Sequence, residues 1–290
     1  MSRPTTIAVE EAEVLAHEAY PAGQYVLTVR APRAASRALP GQFAHVAVGD
    51  GIPLRRPLSI LHAEADSGAL AFLYKVVGTG TQALSRREIG ESLSVLAPIG
   101  NPFQTHRERP RALLLGGGVG IPPMVFLAQR LRAGEGFRPL VLMGSEVPFP
   151  FRLCESRASV PGVPAETSAG LGLLEDLGVP SRLASLQGYP GCHRGYVTDL
   201  ARAWLDALSP GERREVEVFA CGPHPMLEAA ARVARDYDLP CQVSLEEFMA
   251  CAVGGCAGCT VRVATPDGPA MKRVCVDGPV FDARAVFTRS

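Results

Sequence analysis

The chain has 290 residues, 47% of them hydrophobic and 20% charged, which is typical of a folded protein with about two domains rather than of a disordered one. Lys plus Arg (29) equals Asp plus Glu (29), so no overall positive field is available to attract nucleic acid or anionic lipid. The first residues lack the pattern of a secretory signal, and no apolar run reaches the roughly 20 residues of a membrane span. We therefore expect a cytoplasmic protein whose eight cysteines serve metal binding or catalysis rather than disulfides.

The first hundred residues are predicted to form an antiparallel β-barrel or sandwich. Short, partly alternating segments rich in β-branched and aromatic residues are separated by Gly, Pro and Asp; they cover residues 24–31, 42–49, 59–65, 68–77 and 91–99. The charged, Pro-containing stretch 106–111 then interrupts the strand pattern and predicts a linker. We place the first domain at 1–105, and we assign no role to its N-terminal extension.

A parallel α/β domain is predicted over residues 106–240. The apolar strand RALLLG, from Arg111, runs into a Gly-rich turn and an apolar-periodic helix, which is how a sheet buried on both faces begins. Further strands are predicted in RPLVLMGSE and EVEVFACGP, and a helix in PMLEAAARVARDYDL. The stretch 147–194 is Pro- and Gly-rich and predicts no clear element.

Two turns of this domain have the character of a nucleotide site. In LLLGGGVGIPP (113–123) the glycines lie between a strand and a helix, where main-chain N–H groups can approach a pyrophosphate. CGPHPM (221–226) follows a later strand of the same sheet, so its turn is expected at the same carboxyl edge. The alternatives are a tight turn without a ligand for the glycines and a buried small side chain for Cys221.

The barrel half contains two further signals for phosphate. RRPLSI (55–60) offers a guanidinium for a phosphate and a hydroxyl for a flavin ring, although a solvated strand edge explains two arginines equally well. YKVVGTGTQAL (74–84) ends a strand in glycines and hydroxyls before a predicted helix, a second turn suited to an anion. Together the turns favour one flavin and one nicotinamide cofactor.

The last predicted segment, 241–290, contains a cysteine cluster. Cys251, Cys256, Cys259 and Cys275 have the spacing C-x4-C-x2-C-x15-C, which is typical of a plant-type [2Fe–2S] centre. Neighbouring glycines supply the backbone freedom that such a loop needs. Structural zinc is the alternative, although zinc sites usually pair their ligands in two short knuckles. Cys154 and Cys192 lie outside this pattern, and we assign them no role.

These motifs, with EEFMACAVGGCAGCTV and KRVCVDGPVF, occur in one order along one chain. Together they resemble the ferredoxin-NAD(P) reductase superfamily, and most closely the iron–sulfur electron-transfer subunits of NAD-linked dihydroorotate dehydrogenases. The resemblance covers residues from about 20 to 145 and from about 195 to 282. It implies an antiparallel FAD-binding β-barrel, a Rossmann-like parallel-sheet domain for NAD, and a small C-terminal [2Fe–2S] segment.

The resemblance also implies a role for individual residues. The FAD contacts would be Arg56 on the pyrophosphate and Ser59 near the flavin ring, with Pro57, Leu58, Leu73, Tyr74, Lys75, Gly80 and Thr81. The NAD turn would be Gly117, Gly118, Val119 and Gly120, with Cys221, Gly222 and Pro223 as its companion. The cluster ligands would be Cys251, Cys256, Cys259 and Cys275, and no side-chain acid or base is expected.

The implied activity is that of an electron-transfer subunit of an NAD(P)H-linked oxidoreductase of pyrimidine biosynthesis. It would pass electrons between NAD(H), FAD, the cluster and an FMN-bearing dihydroorotate dehydrogenase subunit, in a heterotetramer with two copies of each chain. Related small subunits of NAD(P)H:ferredoxin, sulfide dehydrogenase or hydrogenase-type enzymes are the alternative. In the ferredoxin and sulfide dehydrogenase subunits the first ligand tends to be Asp, where this chain has Cys251. An alternative of another class is a zinc-bearing structural or regulatory module.

Overall fold

A closed antiparallel barrel forms the first part of the molecule. The computed structural model describes residues 7–49 and 51–288, so the predicted domain limits at 1 and 290 lie outside the described residues. The elements of the barrel are β1 (Ala8–Tyr20), β2 (Gln24–Arg30), α1 (Pro32–Ala35), β3 (Phe43–Val46), β4 (Arg56–Glu64), β5 (Ala69–Lys75), α2 (Thr79–Leu84) and β6 (Ser92–Ile99). The strand order is β1-β2-β5-β4-β3-β6, and the predicted barrel is confirmed.

Strand β1 is the part of the barrel that sequence reasoning missed. It pairs with both β2 and β6 and thereby closes the barrel. Its buried positions Ala8, Ala12 and Val14 alternate with glutamates, which are depleted in strands and obscure the pattern. One of these, Glu10, accepts hydrogen bonds from the main-chain N–H groups of Arg33 and Ala34 at the start of α1.

The rest of the chain is built around a second sheet. Its elements are β7 (Arg111–Gly117), α3 (Ile121–Ala133), β8 (Leu140–Gly144), β9 (Leu153–Glu155), β10 (Ala169–Leu171), α4 (Gly172–Asp176), β11 (Ser181–Ala184), α5 (Val197–Ala207), α6 (Pro210–Arg214), β12 (Val216–Cys221), α7 (His224–Asp236), β13 (Cys241–Ser244), β14 (Thr260–Thr265), β15 (Gly268–Arg273), β16 (Val280–Asp282) and α8 (Ala283–Val286). The sheet order is β11-β8-β7-β12-β13-β16, with β16 alone antiparallel. The predicted parallel α/β architecture is confirmed.

The stretch 147–194 has a structure that its sequence did not predict. Strands β9 and β10 form a small sheet of their own, and α4 leads from them into β11, an edge strand of the main sheet. These elements are three to five residues long, too short to leave a periodic pattern in the sequence. None of the helices in the described part of the chain could cross a bilayer.

The cysteine segment leaves and re-enters the main sheet. Strand β13 pairs with β16, and the Leu245 N–H donates to the Pro279 carbonyl just beyond them (2.9 Å). Both strands lie beyond the predicted boundary at 240, so the sheet extends across it; the boundary itself stays a prediction. The Asn101 side chain, at the end of the barrel, donates to the Asp277 carbonyl oxygen (2.9 Å) and so connects barrel and segment.

A buried glutamate connects the linker to the sheet. Glu217, on β12, has a side chain only 2% exposed, and its carboxylate lies 2.9 Å from His106 Nδ1. Gln242 donates to the same carboxylate (2.8 Å) and to the Gln104 carbonyl oxygen (2.6 Å). The hydrogen bond with Glu217 is the main reason that the pKa of His106 is raised.

This pair predicts a pH dependence of stability. A histidine pKa raised by folding contributes stability that is complete below the unfolded value of about 6.5 and is lost as the pH rises through the folded value. We expect a loss of less than about 1 kcal/mol in the free energy of unfolding, because His106 is half exposed. His106→Ala should remove this pH dependence of the free energy of unfolding, which is measured by urea titration at several pH values. His62→Ala should keep it, because the His62 ring contacts the uncharged Gln129. The same pH dependence of stability in wild type and in His106→Ala would contradict its assignment to the pair of His106 and Glu217.

Candidate functional site

Three turns meet at the carboxyl edge of the main sheet. They follow β7, β12 and β13, which are neighbours: Gly116 pairs with Cys221, and Cys221 pairs with Ser244. Ligands of open α/β sheets bind at this edge, where the strand order reverses. The structure therefore brings the predicted Gly-rich turn, its companion turn and the start of the cysteine segment side by side.

The Gly-rich turn leaves a helix terminus uncapped. Residues 118–120 form a short 3-10 turn, and α3 begins directly after it with no side-chain hydrogen bond at its N-cap, Gly120. Gly118 has φ +54°, a conformation that favours glycine, and Val119 is half-buried beside it. Pro122 and Pro123 contribute no N–H group to the first turn of α3, and the Ile121 N–H already donates to the Gly118 carbonyl oxygen, so the main chain of the Gly-rich turn itself is the part suited to a pyrophosphate.

The companion turn touches the Gly-rich turn at backbone distance. A Cβ atom added at Gly120 would lie 2.5 Å from the Cys221 carbonyl, and one added at Gly222 would lie 3.2 Å from Gly117. Only glycine permits this approach, so the glycines of the Gly-rich turn also allow the turns after β7 and β12 to pack together. Pro223 then forms the N-cap position of α7.

Two residues near Cys221 escaped the sequence analysis. The Cys221 thiol is fully buried, and burial raises its pKa well above the ordinary value, so it is a neutral thiol. The Glu246 carboxylate also raises the pKa of Cys221, while a hydrogen bond with the Ser244 side chain lowers it. Both residues lie at the end of β13, and only the pairing of β13 with β12 reveals that they are neighbours of the companion turn.

The two arginines of the predicted flavin strand, Arg55 and Arg56, make different contacts. Arg55 is already engaged, because its guanidinium donates to the carbonyl oxygen (2.5 Å) and hydroxyl (2.9 Å) of Ser94. Arg56 Nη1 donates to the Leu54 carbonyl oxygen (2.5 Å), and the guanidinium lies over Gly80, where an added Cβ would come within 2.3 Å of it. A side chain at Gly80 would fill this cradle, so the arrangement fits a phosphate held by Arg56 and the adjoining turn. Pro57, Leu58 and Ser59 continue along β4.

The remaining predicted flavin residues differ in what they expose. Leu73 and Tyr74 are buried, and the Tyr74 hydroxyl is hydrogen-bonded to His17 Nε2 (2.8 Å), so this hydroxyl is already engaged within the chain. Lys75 is half-buried at the end of β5. The Thr81 hydroxyl accepts from the Val77 N–H (3.0 Å) and therefore shapes the turn itself.

The four cysteines of the motif form two pairs. The Cys251 sulfur accepts from the Cys256 N–H (3.4 Å), and the Cys259 thiol lies close enough to Cys275 to raise its pKa. The first pair is accessible, with Cys256 exposed and Cys251 half-buried, whereas Cys259 and Cys275 are buried. A two-iron cluster takes two cysteines on each iron, so this arrangement fits [2Fe–2S].

The loop around the first pair is lined with main-chain donors. The N–H of Val253, followed by those of Cys256 and Gly255, donates to the Cys251 sulfur and lowers its pKa to about 6, against the opposing effect of burial. For Cys275, burial and then the Cys259 thiol raise the pKa to about 12. Amides directed at sulfur are suited to an anionic cluster. No set of three or more His, Cys, Asp or Glu in residues 7–49 and 51–288 is grouped around one metal position.

Positive φ angles shape this loop in part at unexpected residues. Gly254, one of the glycines of this loop, has φ +84°. Ala252 (φ +56°) and Ala257 (φ +54°) also have positive φ angles. Such residues alternate with ordinary ones and turn successive N–H groups inward, which creates a concave surface for an anion. Arg273 Nη1 donates to the Gly254 carbonyl oxygen (3.0 Å) and connects the loop to the strand before Cys275.

Comparison with solved structures supports the fold. The structure of an NADH-dependent reduced ferredoxin-NADP oxidoreductase superposes with a TM-score of 0.76 at 24% identity, covering 96% of this chain and 90% of that chain. A ferredoxin reductase of carbazole 1,9a-dioxygenase superposes with a TM-score of 0.62 at 21% identity, covering 81% and 67%. At these identities the similarity concerns the fold alone.

Comparison with curated sequences is more specific. Residues 246–287 match the model of the iron–sulfur cluster binding domain of dihydroorotate dehydrogenase B. The NAD(+)-linked dihydroorotate dehydrogenase B electron transfer subunit of Bacillus caldolyticus is 35% identical over 269 residues, covering 90% of this chain and 92% of the relative. That of Desulforamulus reducens is 31% identical over 275 residues, covering 94% and 96%. The chain belongs to the family of dihydroorotate dehydrogenase B electron transfer subunits.

Proposed function

We propose that this chain carries electrons from a partner dehydrogenase to NAD+ during the oxidation of dihydroorotate to orotate. The observation that carries the proposal is the segment with the four motif cysteines, two of them accessible and two buried, which starts at the same sheet edge as the two nucleotide-type turns. The reaction balances when dihydroorotate loses two electrons and two protons, and NAD+ takes up both electrons and one proton. This chain would provide the route between the two reactants, and the chemistry on dihydroorotate would belong to the partner.

The residues present fit three redox groups. Cys251, Cys256, Cys259 and Cys275 would hold the [2Fe–2S] cluster. Arg56 with the Gly80 turn would hold the FAD pyrophosphate, and β4 as far as Ser59 would lie along the flavin. The Gly117–Gly120 turn, which leads into α3, would hold the pyrophosphate of NAD, with Cys221 to Pro223 beside it.

The bound flavin would exchange two electrons with NAD(H) and single electrons with the cluster. The side chains of this chain would bind and position these groups rather than transfer protons. Cys221 is consistent with such a role, because its buried thiol stays neutral. Main-chain N–H groups at Cys251 would stabilise negative charge at the cluster.

The partner would dock over the cysteine loop. Phe248 is 95% exposed and Val253 is 50% exposed, while Met249 and Ala252 of the same loop are buried in the core. A fully exposed Phe three residues before Cys251 is suited to the apolar centre of an interface over the cysteine loop. The FMN-bearing catalytic subunit is the partner that the family implies, and a heterotetramer with two copies of each chain is the assembly that we propose.

Co-expression with the catalytic subunit tests this function. The purified complex should contain flavin, iron and acid-labile sulfide and should reduce NAD+ with dihydroorotate, whereas this chain alone should only oxidise NADH with artificial acceptors. Turnover of a ferredoxin or of sulfide at full rate by the chain would instead support the alternative oxidoreductases. A colourless protein that contains zinc would contradict the proposal altogether.

Single cysteine substitutions test the ligand assignment. Loss of one thiolate leaves one iron with an open coordination position, so Cys256→Ala or Cys259→Ala should lose most of the iron and sulfide. Cys154→Ala is the matched control, since this free cysteine lies on β9 in a separate small sheet. Flavin content and flavin reduction by NADH should survive in all three variants. Equal iron loss in Cys154→Ala would overturn the assignment.

Charge placed on the docking face tests the partner site. Phe248→Asp should weaken assembly with the catalytic subunit by about 10-fold or more, because a buried carboxylate at an interface lacks a partner. NADH oxidation with an artificial acceptor should stay near the wild-type rate. Leu173→Asp, at an exposed apolar position on α4, is the control and should assemble normally. Analytical ultracentrifugation measures how each variant assembles with the catalytic subunit. Unchanged assembly of Phe248→Asp would place the interface elsewhere.

A further inference from the structure

A cavity lined by arginines lies at the amino-terminal edge of the main sheet. Its volume is about 490 Å³, and its lining includes Arg109, Arg213 and Arg214. Arg109 precedes β7, the other two arginines precede β12, and further lining residues at 237–239 precede β13. These strands are parallel neighbours, so the cavity lies at the opposite edge of the sheet from the nucleotide-type turns.

The glutamates of this edge are paired with arginines that do not line the cavity. The Glu212 carboxylate lies 2.6 Å from Arg111 Nη2. The Glu215 carboxylate lies 3.2 Å from Arg111 Nε and 2.8 Å from Arg138 Nη2. Both carboxylates of α6 and its C-terminal end are thus directed at guanidinium groups outside the cavity lining.

The arginines that line the cavity have no carboxylate partner. In the part of the chain that the structure describes, none of Arg109, Arg213 and Arg214 forms an ion pair. Asp238, the one carboxylate among the described lining residues, lies 2.9 Å from Arg284 Nη2. Guanidinium groups keep their charge throughout the physiological pH range, so the cavity has a net positive charge.

Neutral contacts hold two of these guanidinium groups in place. Arg109 Nη1 donates to the Val216 carbonyl oxygen (3.0 Å). Arg213 Nη2 donates to the Leu208 carbonyl oxygen (3.1 Å), and Arg213 Cζ lies 5.9 Å from the centroid of the Tyr237 ring. Arg213 Nε is buried and has no hydrogen-bond partner among the described residues. The contacts therefore fix the positions of the two groups but do not neutralise their charges.

We propose that this cavity binds a phosphate group, either as the free ion or as part of a small phosphate ester. A planar guanidinium matches phosphate oxygens with paired N–H donors, and several positive charges suit a dianion better than a single carboxylate. The volume lies within the range of about 300–1,000 Å³ for small-molecule sites, which leaves room for the rest of an ester. The inference goes beyond the proposed function, since it concerns the other edge of the sheet.

Calorimetric titration of the full-length protein with its cofactors tests the site. The probes are inorganic phosphate and ribose 5-phosphate, and saturating NAD+ is present so that neither probe occupies the proposed nucleotide turn. We expect binding that weakens as KCl is raised, because salt screens charges that solvent reaches. Tighter binding of ribose 5-phosphate would identify an ester as the ligand, and tighter binding of inorganic phosphate would identify the free ion.

Substitutions in the lining test the assignment. Arg213→Gln and Arg214→Gln should each raise the dissociation constant about 10-fold, as expected for one lost hydrogen bond to a charged group. Arg214 is exposed, so its replacement should leave the fold intact. Arg232→Gln is the matched control and should bind like wild type, because Arg232 lies outside the lining and is paired with Glu228 (2.8 Å). NADH oxidation with an artificial acceptor should stay near the wild-type rate in all three variants.

Three results would overturn the inference. The first is a wild-type protein that binds neither probe at millimolar concentration, and the second is unchanged affinity in both Arg213→Gln and Arg214→Gln. The third is an equal loss of affinity in Arg232→Gln, which would attribute the binding to the overall charge of the surface. The proposed function is tested separately, since it depends on the iron, sulfide and flavin content of the same preparation.

Discussion

The antiparallel pairing of β13 with β16 is the interaction on which the arrangement of the whole site depends. It closes the base of the cysteine segment, so that the segment begins and ends at the edge of the main sheet. Because β13 also pairs with β12, and β12 with β7, the same edge presents the two nucleotide-type turns. Without β16 the segment would lose its second attachment to the main sheet, and strand pairing would no longer fix the chain after Cys275.

A single core extends this constraint to the barrel. Phe43 and Ile99 of the barrel, Leu113 of the main sheet, and Met249 and Cys275 of the segment belong to one continuous apolar cluster. Protein interiors pack as densely as organic crystals, so such a cluster fixes distances between its parts. Electron transfer between redox groups needs fixed distances more than it needs acids or bases.

The segment also has two sides of different character. Cys251 and Cys256 are accessible, with amides that favour a thiolate at Cys251, whereas burial disfavours the charge on Cys275. Phe248 and Val253 are exposed beside the accessible pair. An electron route through this loop would therefore have one end toward solvent or a partner protein and the other end toward the core shared with the barrel.

The amino-acid sequence alone was sufficient for the parts of the protein that depend on neighbouring residues. The cysteine spacing, the Gly-rich turn and the alternation of the barrel strands are local, and local chemistry determines what each can bind or form. Long-range pairing decided the rest. Register placed Glu246 and Ser244 beside Cys221, closure of the barrel made a strand of β1, and strand alternation turned Tyr74 inward. Which face of a strand is buried depends on what packs against it, and that neighbour is distant in the chain.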